Sequence, residues 1–96
     1  MAPHHIHLAT ACVARSRRAD AVAFWGVLGS QRYVVLDLEG VDDATVTFLR
    51  HLVFELPHLA TVSAIAINAS PRLRRRLERA RLMFERRLDL LSDRCA

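Results

Sequence analysis

Two short runs rich in β-branched residues constrain the fold most, because each is followed by a segment with helical periodicity. They are residues 33–38, Tyr-Val-Val-Leu-Asp-Leu, and residues 61–68, Thr-Val-Ser-Ala-Ile-Ala-Ile-Asn. A weaker run over 5–13 precedes the first helical segment. Nearly continuous apolar runs of this length are typical of strands buried on both faces, and their alternation with helices indicates a parallel sheet. We therefore predict an α/β fold: a small sandwich whose short, mostly parallel sheet is covered by about three helices.

Three segments place their apolar residues on one helical face. The predicted helices span residues 17–28, 44–56 and 71–84. Ser16 is a candidate cap for the first helix, and Pro57 is expected to end the second because proline cannot donate a backbone hydrogen bond. Ser70, followed by a proline, is a favourable start for the third. The sequence leaves open whether residues 85–96 continue this helix, form a strand or make a tail.

Composition fits a single domain over residues 1–96. The chain is 52% hydrophobic and 25% charged, so it has enough apolar residues for a core and does not resemble a disordered segment. Cys12 and Cys95 do not form a disulfide framework, and both are expected to be free thiols. We find no signal peptide and no apolar run long enough to cross a membrane. A cytoplasmic protein without a membrane partner is expected.

With this order of strands and helices, the chain resembles a known family. Residues 33–41, Tyr-Val-Val-Leu-Asp-Leu-Glu-Gly-Val, and residues 68–77 resemble the STAS superfamily, which includes the anti-sigma-factor antagonists. The chain is more closely similar to the bacterial STAS-like family over residues 10–82. The matching pieces are Arg15-Ser16-Arg17, Leu36 to Val41, Phe48 to Phe54 and Ile67-Asn68-Ala69. The resemblance implies a bacterial or phage-borne, non-catalytic regulatory module that docks on a partner protein.

The resemblance also implies a partner-binding surface. Its residues would be Glu39, Asp42, Asp43, Thr45, Arg50 and His51. In anti-sigma-factor antagonists a serine at the start of the second helix is phosphorylated, and here Thr45 is the candidate phosphosite in that stretch. The STAS-like family tends to carry an Asp-Glu pair inside this helix, whereas this chain has Arg50-His51, which reverses the charge.

The basic residues suggest a second class of function. All 14 are arginines, and nine of them lie beyond Ser70, although the net charge of the whole chain is only +4. The candidate anion contacts are Arg72, Arg75, Arg76 and Arg79. The alternative function is therefore binding of nucleic acid or a nucleoprotein complex through the arginine-rich helix 71–84. A solvated helix face would give the same pattern. Because so small a domain is marginally stable alone, dimerisation or a partner would add stability, and a homodimer is an open alternative.

Catalytic and metal-binding patterns are weak. No nucleophile motif or phosphate-binding glycine loop occurs, so neither an enzyme nor a cofactor is predicted. The candidate metal ligands are His4, His5 and His7, and the aspartates Asp37, Asp42 and Asp43. We expect the histidines to form a polar strand edge and the aspartates to cap helices and shape loops. No metal site is predicted.

Overall fold

Three strands form one parallel sheet in the order β1-β2-β3. The computed structural model describes residues 4–12, 14–28 and 31–95, with side chains up to residue 91. The strands are β1 (His4–His7), β2 (Tyr33–Asp37) and β3 (Ser63–Ile67). Both pairings are parallel, which confirms the predicted α/β class.

The helices follow the predicted order. They are α1 (Leu8–Ala11), α2 (Arg18–Leu28), α3 (Val46–Leu49), a π-helical segment (Arg50–Glu55), α4 (Leu56–Ala60) and α5 (Pro71–Cys95). The hydroxyl of Ser70 accepts the backbone N–H of Leu73 at 3.2 Å, which confirms this residue as the cap of α5. α5 continues through residue 95, so most of the open C-terminal stretch is helix. No described helix is both long and apolar enough to span a membrane.

The core lies between the helices and one face of the sheet. Ile6, Val34 and Leu36 alternate along β1 and β2 and are buried on this face. The helical side of the core includes Phe48, Leu49, Leu52, Leu73 and Ala80, all with 0% exposure.

The opposite face of the sheet is open, where Tyr33 is 54% and Ile65 58% exposed. The prediction that the strands are buried on both faces is therefore wrong. The residues of these runs that point away from the core, such as Tyr33 and Ile65, lie on a face that no described helix covers.

The first strand is shorter than predicted. β1 pairs with β2 only as far as His7, which lies opposite Asp37 at the end of β2. The chain then turns into α1, where the backbone N–H of Cys12 donates to the carbonyl of Leu8 at 3.0 Å. Leu8 is completely buried, so this turn inserts an apolar anchor. Val13, the last residue of the predicted strand, lies outside the described residues.

The second predicted helix does not end at Pro57. The backbone N–H of Leu56 donates to the carbonyl of His51, five residues earlier, as in a π-helix. In this pattern the carbonyl of Leu52 would face the nitrogen of Pro57, which carries no hydrogen. The indole Nε1–H of Trp25 instead donates to the Leu52 carbonyl at 2.8 Å. The helix passes through the proline because α2 satisfies the carbonyl that Pro57 cannot.

Cys12 is a buried free thiol, as expected. Burial raises the pKa of this thiol above its ordinary value. The side chain of Cys95 lies outside the described residues.

Candidate functional site

The loop after β2 presents the first group of predicted contact residues. It begins with a tight turn in which the N–H of Val41 donates to the carbonyl of Leu38 at 3.0 Å. Gly40 adopts a φ of 81°, a left-handed conformation that glycine tolerates at this turn position. Glu39 stands exposed at the tip of the turn. The turn thus brings residues 42–45 to the same end of the molecule as the start of α5.

Asp43 and Thr45 fasten this loop to the segment before α2. The Nε of Arg15 donates to Asp43 Oδ1 at 2.8 Å, and this hydrogen bond is the main cause of the lowered pKa of the Asp43 carboxyl. The Thr45 hydroxyl donates to the carbonyl of Ser16 at 2.6 Å and accepts the N–H of Phe48 at 3.1 Å, capping α3. A phosphate on Thr45 would have to break the first of these bonds. Its role as a phosphosite stays a prediction.

Two sets of predicted residues meet in one groove. This loop groove has a volume of about 540 Å³ and is lined by Asp42, Asp43, Thr45, Val46, Arg72 and Arg76. Arg76 Nη1 donates to the carbonyls of Asp42 at 3.3 Å and Ala44 at 2.9 Å, so this guanidinium stabilises the loop backbone. Arg72 Nη1 lies 3.5 Å from Asp42 Oδ2. Most of the charge in the loop groove is therefore compensated within the protein.

Arg75 and Arg79 differ from these two arginines. Both are exposed, and neither has a hydrogen bond or ion pair among residues whose side chains are described. They are four residues apart and so share one face of α5. Of the four candidate anion contacts, these two have the most freely available guanidinium groups.

Arg50 and His51 lie in a different cluster, built around Glu55. His51 Nδ1 is 2.8 Å from Glu55 Oε2, Arg50 Nε is 3.4 Å from the same oxygen, and Arg87 Nη1 is 3.3 Å from Oε1. Arg87 lies eleven residues beyond Arg76 on α5, about 16 Å along the helix axis. His51 is only 5% exposed, and its burial lowers its pKa below the ordinary value. The structure separates this pair from the loop groove.

A second groove was missed by sequence reasoning. It runs between β3 and α5, has a volume of about 380 Å³, and will be called the β3–α5 groove. Its lining residues are Val53, Phe54, Ala64, Ile65, Ala66, Arg74, Leu77, Glu78 and Arg81. The apolar members outnumber the charged ones, which come only from α5. The only sequence signal for this groove is the pair of small side chains at Ala64 and Ala66. That signal can be interpreted only after β3 is known to be an edge strand.

The outer edge of β3 is free among the described strands. The N–H of Ser63 donates to Arg32 O, and the carbonyl of Ile67 accepts from Leu38 N, both toward the β2 side. Successive residues of a parallel strand direct their backbone groups to opposite sides. Ala64 and Ala66, which also line the β3–α5 groove, therefore direct their N–H and C=O groups away from β2 at the free edge.

A third cluster lies on the open sheet face. Asp37 Oδ2 is 3.1 Å from His5 Nε2 and 3.3 Å from His7 Nδ1, while Oδ1 accepts from Glu39 N at 3.0 Å and from Asn68 Nδ2 at 3.1 Å. Asp37 is 3% exposed. The Glu39 N–H, followed by Asn68 and His5, lowers the pKa of the Asp37 carboxyl to about 2. Strand alternation places His5 and His7 on the same face of β1, which can be predicted from sequence. The β1–β2 register that brings Asp37 to them cannot.

The three aspartates considered as candidate metal ligands do not form one cluster. Asp37 turns toward β1, Asp43 pairs with Arg15, and Asp42 contacts Ser70 and Arg72. Asp42 therefore acts in the loop, as expected of loop and capping aspartates.

Comparison of the chain with protein-family models, with curated proteins and with solved structures finds no match. The resemblance to the STAS-like family accordingly stays a prediction.

Proposed function

We propose that this chain is a non-catalytic, STAS-like protein-interaction module, acting in the cytoplasm. It would bind an extended, acidic segment of a partner protein, which adds as a strand to the free edge of β3. The observation that carries the proposal is the β3–α5 groove, in which a free strand edge lies beside apolar side chains and a charged helix. A strand edge beside such a groove is a recurring way for domains to recognise extended peptides.

The backbone of β3 would supply sequence-independent affinity. Ala64 and Ala66 offer two N–H donors and two carbonyl acceptors at the free edge, and each hydrogen bond formed contributes about 1 kcal/mol net. Alternate side chains of an added strand would point into the groove, where Phe54 and Leu77 provide apolar contacts. The ligand should therefore have apolar residues at every second position.

Charge favours an acidic partner. Arg74 and Arg81 lie on the groove wall with Glu78, and α5 carries more arginines than acidic residues. Arg81 pairs with Glu78 and Glu85, whereas Arg74 has no ion pair among the described side chains and donates only its Nε, to the carbonyl of Ala69 at 3.1 Å. A second copy of the chain would bring its own arginine-bearing wall against this one, and like charges disfavour that contact. We therefore favour a partner protein over the homodimer.

Nucleic-acid binding is the competing function. It would use the exposed Arg75 and Arg79 and would weaken steeply with salt because counterions are released on binding. The compensation of Arg72 by Asp42 and the use of Arg76 by the loop backbone reduce the number of cations available for it. Strand addition does not depend on these four arginines.

The direct test selects a peptide and then removes one edge donor. A display library of short random peptides is screened against the protein, and the binding of an enriched peptide is measured by calorimetry. Ala66→Pro removes the outward N–H, while Ala66→Ser keeps it as the matched control. Because proline is tolerated where the N–H faces away from the ladder, β3 should persist. We expect binding to Ala66→Pro to be roughly tenfold weaker or worse, which corresponds to about 1.4 kcal/mol.

A second pair of variants separates the two functions. Arg74→Ala and Arg79→Ala remove the same charge from the same helix, but only Arg74 lines the β3–α5 groove. We expect the first to weaken an acidic peptide and the second to have little effect. Failure to enrich any peptide, or equal binding to Ala66→Pro and Ala66→Ser, would refute strand addition. If the protein binds nucleic acid in a salt-sensitive way and Arg79→Ala loses this binding, the nucleic-acid function is favoured. If the protein dimerises without peptide and Ala66→Pro loses the dimer, a second copy of the chain is the occupant of the edge.

A further inference from the structure

The geometry points to a binding site for a divalent first-row transition ion, such as zinc, formed by His5, His7 and Asp37. One ligand atom from each residue, His5 Nε2, His7 Nδ1 and Asp37 Oδ2, lies within 4.8 Å of the others. This inference goes beyond the proposed function and does not depend on it, since the cluster lies on β1 and β2 whereas the proposed peptide site lies at the outer edge of β3.

The sheet itself assembles the three ligands. His5 and His7 are two residues apart on a strand, so their side chains lie on the same face. His7 lies directly opposite Asp37 in the β1–β2 register, which puts the carboxylate on that face too. The backbone thus fixes the relative positions of all three groups without a flexible loop.

The spacing fits a metal ion. Asp37 Oδ2 is 3.1 Å from His5 Nε2 and 3.3 Å from His7 Nδ1. Zinc bonds of about 2.0–2.1 Å place neighbouring ligands of a tetrahedral ion roughly 3.3 Å apart. The imidazole rings are stacked with centroids 4.9 Å apart, so both rings lie beside the same carboxylate oxygen. Two imidazoles and a carboxylate favour zinc and its neighbours over magnesium or calcium, which prefer oxygen ligands.

Asp37 is oriented as a metal ligand requires. Its Oδ1 is held by the Glu39 N–H and the Asn68 side-chain amide, so Oδ2 is directed toward the histidines. Such outer hydrogen bonds fix ligands and tune metal affinity. His5 and His7 are exposed, which gives an ion access from the open sheet face and leaves further coordination positions to water or a fourth ligand.

The test is titration of the chelator-treated full chain with Zn²⁺, and with Co²⁺ as a spectroscopic probe. We expect one equivalent to bind and the Co²⁺ absorption to show nitrogen and oxygen ligation. His5→Ala and His7→Ala should each weaken binding by about tenfold or more. His4→Ala is the matched control, because the strand alternation places His4 on the opposite face of β1 and outside the cluster.

Two outcomes would overturn this inference. One is absence of stoichiometric Zn²⁺ binding, which would leave only a hydrogen-bonded cluster. The other is equal weakening in His4→Ala and His7→Ala, which would show that a non-specific histidine surface binds the ion. His5→Ala and His7→Ala change exposed side chains, so circular dichroism should show the fold retained. Asp37→Asn removes the charged ligand at nearly constant shape and should also weaken Zn²⁺ binding.

Discussion

Two carboxylates, Asp37 and Glu55, join elements that are distant in sequence. Asp37 receives hydrogen bonds from residues on β1 and after β3, in addition to the turn after β2. Glu55 forms ion pairs with Arg50 in its own π-helical segment and with Arg87 on α5, and His51 Nδ1 lies 2.8 Å from its carboxylate. Asp37 is 3% exposed and the Glu55 side chain is 15% exposed. Loss of either charge would therefore disturb contacts between elements and not a solvated surface.

His51 should make the protein less stable as the pH falls through the upper acidic range. Burial is the main cause of its lowered pKa, and Arg50, Arg18 and Arg87 add to it, while Glu55 opposes the shift. The unfolded chain therefore takes up a proton at His51 before the folded chain does. Stability from this residue is present above the ordinary pKa of 6.5 and is lost as the pH falls toward the folded value.

The check is urea unfolding of the wild type and His51→Gln between about pH 7 and about pH 5. Glutamine replaces the imidazole with a neutral polar side chain that does not titrate. We expect the wild type to lose more stability across this interval than the variant. Parallel losses in the two proteins would show that His51 is not the group responsible.

Local chemistry made some residues predictable and left others hidden. Ser70 was identified as a helix cap because capping depends on neighbours in sequence. The partners of Asp37 depend on strand register, and Glu55 meets Arg87 only after α5 has packed. Arg50 and His51 were expected at a partner surface on the basis of family resemblance; the structure packs them around Glu55, away from the loop groove, and their part in such a surface stays a prediction. Residue type alone did not contain this information.

Among the elements, the π-helical segment is the least regular part of the fold. It allows Pro57 to lie within a continuous helical stretch from Val46 to Ala60. The indole of Trp25 joins it to α2 through the carbonyl of Leu52. The indole ring suits this position because it packs as an apolar group and also carries a hydrogen-bond donor.

Trp25→Phe should destabilise the protein by about 1–2 kcal/mol, because it leaves the Leu52 carbonyl without its donor. Pro57→Ala restores a backbone N–H that can reach this carbonyl in the π-helical pattern. The cost of Trp25→Phe should therefore shrink in a Pro57→Ala background. A double-mutant cycle measured by urea unfolding tests this coupling. Strictly additive effects would show that Pro57 and Trp25 do not share the Leu52 carbonyl.

Periodicity predicted the parallel sheet and the main helices, but it could not predict how the sheet is covered. An apolar run such as residues 33–38 is compatible with burial on one face or on two. In the structure Val34 and Leu36 face the core, whereas Tyr33 remains exposed. The same ambiguity hid the edge position of β3, and with it the β3–α5 groove. Strand order and layer number depend on tertiary packing.

Considered as a whole molecule, the protein separates its surfaces by chemistry. The loop groove holds mutually compensated charges, the open sheet face carries the His5, His7 and Asp37 cluster, and the β3–α5 groove joins a free strand edge to apolar side chains. On the α5 wall of this groove, Arg74 is the cation that no described acidic side chain pairs with. Under the proposed function, the basic residues of α5 would serve to attract an acidic protein segment rather than nucleic acid.

Amide hydrogen exchange at β3 tests the central claim most directly. In the free protein the outward amides of Ala64 and Ala66 should exchange faster than the inward amides of Ser63 and Ile65, because only the latter face β2. When an enriched acidic peptide binds, exchange at Ala64 and Ala66 should slow strongly while Ser63 and Ile65 change little. Tight peptide binding with no protection of Ala64 and Ala66 would contradict strand addition at this edge.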